Sequence, residues 1–248
     1  MLPLNKTYLG ISGDYYEKAH NSMHKSQRFF YKTREKFLID LMPKKKIENV
    51  LEIGFGSGII IKKLAAKNYY KSIFGMDLSF EAAKYLKKST NIKYTKVKVL
   101  VGDLDNIPFK KGAFDLVILS HVLEHIHNPS KALIECKKIL KEDGYLLISF
   151  PNNMSLWPLA EAVFDKTLAP KDYSLKEQHI QQLNNFNVTK ILKKEGFKIN
   201  KSGTLYLFSL PVSVLSEKIS NFLFIIDKLL FLSPFNMISY ILASKQKN

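Results

Sequence analysis

The chain has one cysteine, Cys136, in 248 residues, which excludes an internal disulfide. With no Cys or His partner at ligand spacing, that thiol also argues against a structural zinc site and suits a reducing compartment. Arginine is nearly as scarce: Arg28 and Arg34 stand alone, so the formal charge of +16 is a lysine excess. A basic chain invites a nucleic-acid reading through counterion release. Bidentate phosphate or guanine recognition favours arginine forks over lysine point charges, however, and nucleic acid is therefore the disfavoured partner. No apolar run approaches the ~20 residues of a membrane span. Within Leu205–Leu242 the longest clean run is Phe222–Ile226, and Glu217, Lys218, Asp227 and Lys228 interrupt its surroundings. Met1–Gly10 lacks the basic start and apolar core of a secretory leader, so the expected location is cytoplasmic.

What is present is a globular composition, 46% hydrophobic and 24% charged, enough for one α/β domain over residues 1–248. From about Glu48 to Phe150 short β-rich runs alternate with helical patterns, the signature of a parallel sheet covered by helices on both faces. Strands are expected at Asn49–Ile53, Ser72–Met76, Val97–Val101, Phe114–Leu119 and Tyr145–Phe150. Helices are expected at Gly58–Lys67, Phe80–Lys88 and Pro129–Leu140, the last capped by Asn128 and stopped by Gly144. Ahead of this core, Asp14–Leu41 reads as one or two helices rich in aromatics, packing on the sheet or covering the strand ends. Beyond it come a helix near Asn187–Glu195, a strand at Phe197–Leu210, an amphipathic helix at Val212–Leu232 and a last strand at Asn236–Ser244. The amphipathic helix suits core or dimer packing first and an interfacial membrane contact second.

The strongest local signal is Val50-Leu-Glu-Ile-Gly-Phe-Gly-Ser-Gly58, an apolar strand ending in Glu52 and three alternate glycines before a helix. Glycines allow a sharp turn and close approach of the backbone to a ligand. Ile59 stands where a dinucleotide fingerprint wants another glycine, so the pattern suits a ligand without a pyrophosphate. The second strand ends in Gly75-Met76-Asp77, a carboxylate placed to accept from both hydroxyls of a ribose. Together the two features point to a nucleoside ligand. Asp103 with Leu104, after the third strand, suits an adenine contact or a plain turn aspartate.

The ordered set LEIGFGSG, GMDLS, VGDLDNIPF and FDLVILSHVLEHI resembles class I S-adenosylmethionine-dependent methyltransferases, in particular the type 11 group that includes quinone-biosynthesis methylases. The resemblance covers about Glu48–Asn152. It implies a Rossmann-like doubly wound sheet, mostly parallel with an antiparallel last strand, and S-adenosyl-L-methionine as cofactor. It implies further that Glu52, Gly54, Gly56 and Gly58 surround the methionine part, that Asp77 with Leu78 holds the ribose and Asp103 with Leu104 the adenine, and that Ser120 with His121 lies beside the sulfonium. On that reading residues 1–47 are a helical lid, 48–152 the cofactor core, and 153–248 the acceptor side with a helical insertion at 211–234.

His121 and His125, after the fourth strand, are the candidate general bases, and His179 is a further one. As an i, i+4 pair the first two lack a third ligand, so no metal is expected. Ser120-His-Val-Leu123 is unlike the Asn/Asp-Pro-Pro-aromatic tetrad of amino-methylating base flippers, and Cys136 falls inside a helix rather than at a nucleophile position. The expected acceptor is a small or lipid-linked metabolite methylated on oxygen. RNA or protein methylation and non-catalytic cofactor binding are the alternatives, with a homodimer and a peripheral membrane contact as further expectations.

Overall fold

The computed structural model describes residues 12–67, 70–90, 96–167, 174–231 and 233–246. The reading of Met1–Gly10 lies outside those residues, as does Leu232 at the end of the expected amphipathic helix. The strands are β1 (Asn49–Ile53), β2 (Ser72–Asp77), β3 (Val97–Val101), β4 (Phe114–Ser120), β5 (Leu140–Pro151), β6 (Phe197–Leu205) and β7 (Ile238–Lys245). They form one sheet in the order β3-β2-β1-β4-β5-β7-β6. β7 runs antiparallel to both its neighbours and the other pairings are parallel.

Helices α1 (Tyr15–His20) and α2 (Lys25–Leu41) precede the sheet, and α3 (Ile59–Ala65), α4 (Phe80–Thr90) and α5 (Pro129–Ile139) connect its parallel strands. Between β5 and β6 lie α6 (Trp157–Thr167), α7 (Leu175–Gln178) and α8 (Asn185–Lys194). Between β6 and β7 lie α9 (Ser209–Val212) and α10 (Glu217–Leu229).

Strand alternation divides the core between the two faces of the sheet. Val50, Leu116, Ile118 and Leu147 face Leu38 of α2, Leu64 of α3 and Leu86 of α4 in one cluster. Leu51, Val117, Leu119 and Ile148 face Leu133 of α5 and Val188 of α8 in the other. The two βαβ halves diverge between β1 and β4, and this reversal of strand order leaves a crevice beyond the carboxyl ends of those strands.

Most element ends differ from expectation by one or two residues, and three larger differences have a local reason. β5 starts at Leu140, pairs once with Phe114, and shifts register before Tyr145 pairs with Leu116. Gly144 serves that excursion rather than the end of α5, since a Cβ on it would stand 2.8 Å from the Lys141 carbonyl oxygen. β6 ends at Leu205 because Tyr206 turns left-handed (φ 71°) and meets the Thr33 hydroxyl at 2.8 Å. The helix expected from Val212 starts instead at Glu217, because a separate short helix, α9, ends at Val212 and Ser216 caps the new start by accepting from the Ile219 N–H at 3.4 Å. The Asn128 cap of α5 is as expected, its side chain accepting from the Lys131 N–H at 3.0 Å.

Candidate active site

The turn after β1 takes its shape from left-handed backbone at Gly54 (φ 69°) and Gly56 (φ 55°), which side-chain-bearing residues rarely adopt. Two bonds tie this loop to β2: Gly54 N–H donates to the Met76 carbonyl and Gly56 N–H to Asp77 Oδ2, each at 2.8 Å. The other Asp77 oxygen accepts from the Ser79 N–H at 2.9 Å. Burial raises the Asp77 pKa, against the lowering effect of those N–H donors.

Loop and carboxylate border a cavity of about 510 Å³, large enough for a nucleoside-sized ligand. Glu52, Gly54, Gly56, Asp77, Ser120, His121 and His125 all line it. Gly58 shapes the turn without reaching the lining, its own N–H donating to the Phe55 carbonyl at 2.8 Å. Leu78, Asp103 and Leu104 also lie outside the lining. The Asp103 side chain accepts the Asp105 N–H at 2.9 Å in a local turn, and Leu104 is buried in the second core cluster. Ser79 and Ala82 line the cavity instead.

The N-terminal helices close over this loop. Ser57 donates to the Gly13 carbonyl at 2.8 Å and accepts the Glu17 N–H at 3.2 Å. Glu17 in turn pairs with Lys62 at 2.5 Å and accepts from the Tyr85 hydroxyl at 2.7 Å, clamping α1 onto α3 and α4. From α2 comes Arg34, its guanidinium 5.0 Å from the ring centres of both Phe30 and Tyr31. Its Nε is buried with no hydrogen-bond partner among the described residues, and the side chain lines the cavity. Glu52 faces the same end. Burial, with the charges of Glu35 and Asp77, raises its pKa well above the carboxylate range, and its Oε2 has no partner among the described residues. A buried cation and a buried carboxyl, each with an orphaned polar atom on one cavity, suit the two charged ends of an amino acid.

At the end of β4 the chain kinks at His121, a non-glycine residue with φ 57° whose N–H donates to the Ser149 carbonyl at 2.8 Å. His121 Nδ1 stands 3.0 Å from Glu124 Oε1. Burial, then the Arg34 charge, lowers the imidazole to about 4 against the pull of Glu124. The Glu124 carboxyl sits low, at about 2: burial opposes ionisation, but His121 first, then His125 and His179, outweigh it. The Nε2 of the ring has no partner among the described residues.

His125 Nδ1 meets the Gln178 carbonyl at 3.0 Å. Beside it, with ring centres 4.9 Å apart, His179 pairs through Nδ1 with Glu161, which also accepts from the Trp157 indole N–H at 3.0 Å. Burial works against a charged His179 ring, but the Glu161 hydrogen bond and the charges of Glu124 and Glu161 raise its pKa overall. Spacing in the sequence drew attention to His121 and His125, and His179 was a further candidate from the region beyond the fifth strand. Arg34, Trp157 and Glu161 carried no comparable signal, since nothing in their own segments marks them.

An open α/β sheet with a glycine turn, a β2 carboxylate and a cavity at the switch point defines a Rossmann-like nucleoside-binding protein. The methyltransferase domain family model matches residues 51–148. A ubiquinone biosynthesis O-methyltransferase of Candida albicans is 35% identical over 106 residues, 42% of this chain and 32% of that protein. An uncharacterized protein of Methanocaldococcus jannaschii is 30% identical over 194 residues, 74% of each chain. The solved structure of a Thermotoga maritima S-adenosylmethionine-dependent methyltransferase superposes with a TM-score of 0.68 at 21% identity, covering 94% of this chain and 95% of that one. The present chain spans only 32% to 56% of the length of several curated relatives. It belongs to the class I S-adenosylmethionine-dependent methyltransferases, type 11 group, and S-adenosyl-L-methionine is the cofactor of that family. Among the described residues no helix is long and apolar enough to cross a membrane.

Proposed function

We propose that this chain transfers the methyl group of S-adenosylmethionine to an oxygen of an apolar or amphiphilic metabolite. The carrying observation is that one cavity is lined by the glycine turn and Asp77 as well as by the His121 imidazole and an apolar rim. When bound, the cofactor supplies a positively charged sulfur whose methyl is the electrophile. The Asp77 carboxylate takes the ribose hydroxyls, Glu52 the ammonium and Arg34 the carboxylate. α1 and α2 act as the lid that keeps water out.

Methylation of a hydroxyl releases a proton, and in this reading His121 Nε2 accepts it. Glu124 holds the ring through Nδ1 and stabilises the imidazolium, so the acceptor oxygen becomes a better nucleophile as it aligns with the methyl. The left-handed backbone of His121 is an observed strain at the place where such a base is needed. Phe30 and Trp157, with ring centres 5.9 and 6.1 Å from His121, flank the acceptor.

The rim supports the choice of acceptor. Leu159, Val163 and Val214 line the cavity and are also more than half exposed. From Val214 the chain continues into α10, whose Ile219, Phe222, Ile225 and Leu229 form an exposed stripe at helical spacing. A stripe of this kind on a chain of net charge +16 suits an anionic lipid surface. Incubation with methyl-labelled cofactor and separated lipid and aqueous metabolite extracts tests the proposal. Label in a lipid or small amphiphile is expected, and label only in RNA or protein overturns it.

A further inference from the structure

We infer that His179 selects the methyl acceptor by donating from Nε2 to a second, uncharged oxygen of that molecule, a carbonyl, ether or hydroxyl other than the oxygen that is methylated. The inference rests on the methyl-transfer reading and narrows its acceptor class.

Trp157 and Glu161 stand four residues apart on α6 and share one helix face, while His179 follows directly on α7. All three line the cavity. Glu161 accepts from the Trp157 indole N–H at 3.0 Å and pairs with His179 Nδ1. The indole and imidazole rings stack at 29° with centres 6.4 Å apart. With Nδ1 committed to a carboxylate and one ring face to the indole, Nε2 is the nitrogen left to meet an occupant. Trp157 is also 6.1 Å from His121, so one molecule beside the indole reaches both imidazoles.

The two rings then divide the work. Burial opposes a charge on His179, but the Glu161 hydrogen bond and the charges of Glu124 and Glu161 raise its pKa overall. A ring held in that form has a proton on each nitrogen and donates; proton removal stays with His121. The kind of oxygen follows from charge. Glu124 and Glu161 are only 1% and 6% exposed, and two carboxylates beside one imidazolium leave no positive excess for a carboxylate or phosphate. A molecule lacking the second oxygen would leave a buried donor unpaired, which is how such a site discriminates.

Trp157 is the one tryptophan of the chain and touches the proposed subsite, so its fluorescence reads occupancy without turnover. The test titrates the full chain, loaded with S-adenosylhomocysteine, with acetylphenols and with the ethylphenols and hydroxybenzoates of matching substitution. For at least one isomer the acetylphenol should bind about 10- to 100-fold more tightly than the ethylphenol, and the hydroxybenzoate no better than the ethylphenol. His179→Leu should abolish that preference and His179→Gln, which keeps an N–H donor, should restore part of it; thermal melts show that each variant is folded. Glu161→Gln tests positioning. It removes the charge but keeps an oxygen for Nδ1–H, so Nε2 becomes a bare acceptor. Acetylphenol should fall to the ethylphenol level while hydroxymethylphenol, which can donate, stays within a few-fold; a merely structural loss would weaken all probes together. No binding by any acetylphenol, or an undiminished preference in folded His179→Leu, overturns the inference. Labelled S-adenosylmethionine keeps the two readings apart. Preferential binding with no label transferred removes methyl transfer alone, and label on acetyl and ethyl probes at equal kcat/KM removes the His179 subsite alone.

Discussion

Asp77 Oδ2 accepts the Gly56 N–H at 2.8 Å, so the β2 carboxylate holds the glycine turn as well as facing the cavity. The two halves of the proposed nucleoside grip are therefore one hydrogen-bonded unit. Asp77→Ala removes a charged acceptor and a loop tether together, and should weaken S-adenosylmethionine by ~1.5–3 kcal/mol in calorimetry. Asp77→Asn keeps a carbonyl acceptor for Gly56 and should lose less. Parent affinity in both variants would take Asp77 out of the site.

Arg34 gives a sharper test, because its proposed partner is one end of the cofactor. Arg34→Ala should weaken S-adenosylhomocysteine by ~1.5–3 kcal/mol, the range for a hydrogen bond to a charged group. Arg34→Lys should restore less than half, since an ammonium cannot form the planar fork. Methylthioadenosine, which lacks the amino-acid arm, should bind parent and variants alike; equal losses for both ligands would mean the substitution merely loosens the lid.

His121 occupies left-handed backbone, which asparagine tolerates better than most residues. His121→Asn thus removes the imidazole with little disturbance of the turn. Its kcat should fall ~10²–10⁴-fold with cofactor affinity nearly unchanged, as read by single-turnover kinetics and calorimetry. A kcat within a few-fold of the parent would exclude His121 as the base.

The stripe on α10 predicts a separation of functions. Phe222 is 64% exposed, so Phe222→Asp should leave the fold and turnover of a water-soluble acceptor intact. Co-sedimentation with anionic vesicles should drop roughly 10- to 100-fold, in line with ~1.5–3 kcal/mol for a phenyl ring withdrawn from an apolar phase. Unchanged sedimentation would show that α10 does not face lipid.

Asp115 supports the start of β1 from β4. Its carboxylate accepts the Asn49 N–H at 2.8 Å and the Glu48 N–H at 3.1 Å, and pairs with Lys141 at 2.8 Å. Burial tends to raise its pKa, but the Lys141 and backbone hydrogen bonds outweigh that and hold it below the usual value. A depressed folded-state pKa contributes stability that is present above the unfolded pKa of about 3.9 and lost as pH falls through the folded value. Asp115→Asn should therefore destabilise the chain by ~1–2 kcal/mol at pH 7, and the difference should shrink below about pH 4. Urea melts at both pH values give the check.

Much of the cofactor half was legible because local rules govern it. β1 and β3 follow their apolar runs, α5 its Asn128 cap, and the first turn its glycines. The rest depends on contacts that no segment announces. Gly144 looks like a helix stop, yet it serves a register shift set by pairing with β4. Ser216 looks like any polar residue until α9 ends four residues before it. Arg34, Trp157 and Glu161 become site residues only because α2 and α6 fold over the strand ends. Asp103 and Leu104 sit outside the cavity because a short turn uses the carboxylate locally and the second core cluster takes the leucine.

Cys136 is fully buried in α5 and burial pushes its thiol up to about 12, so alkylating reagents have no target on the native chain. For labelling purposes the parent protein is already thiol-silent. A fluorophore introduced through Phe222→Cys on the exposed face of α10 would then report from one known position, and its emission could follow approach to a bilayer without any background to subtract.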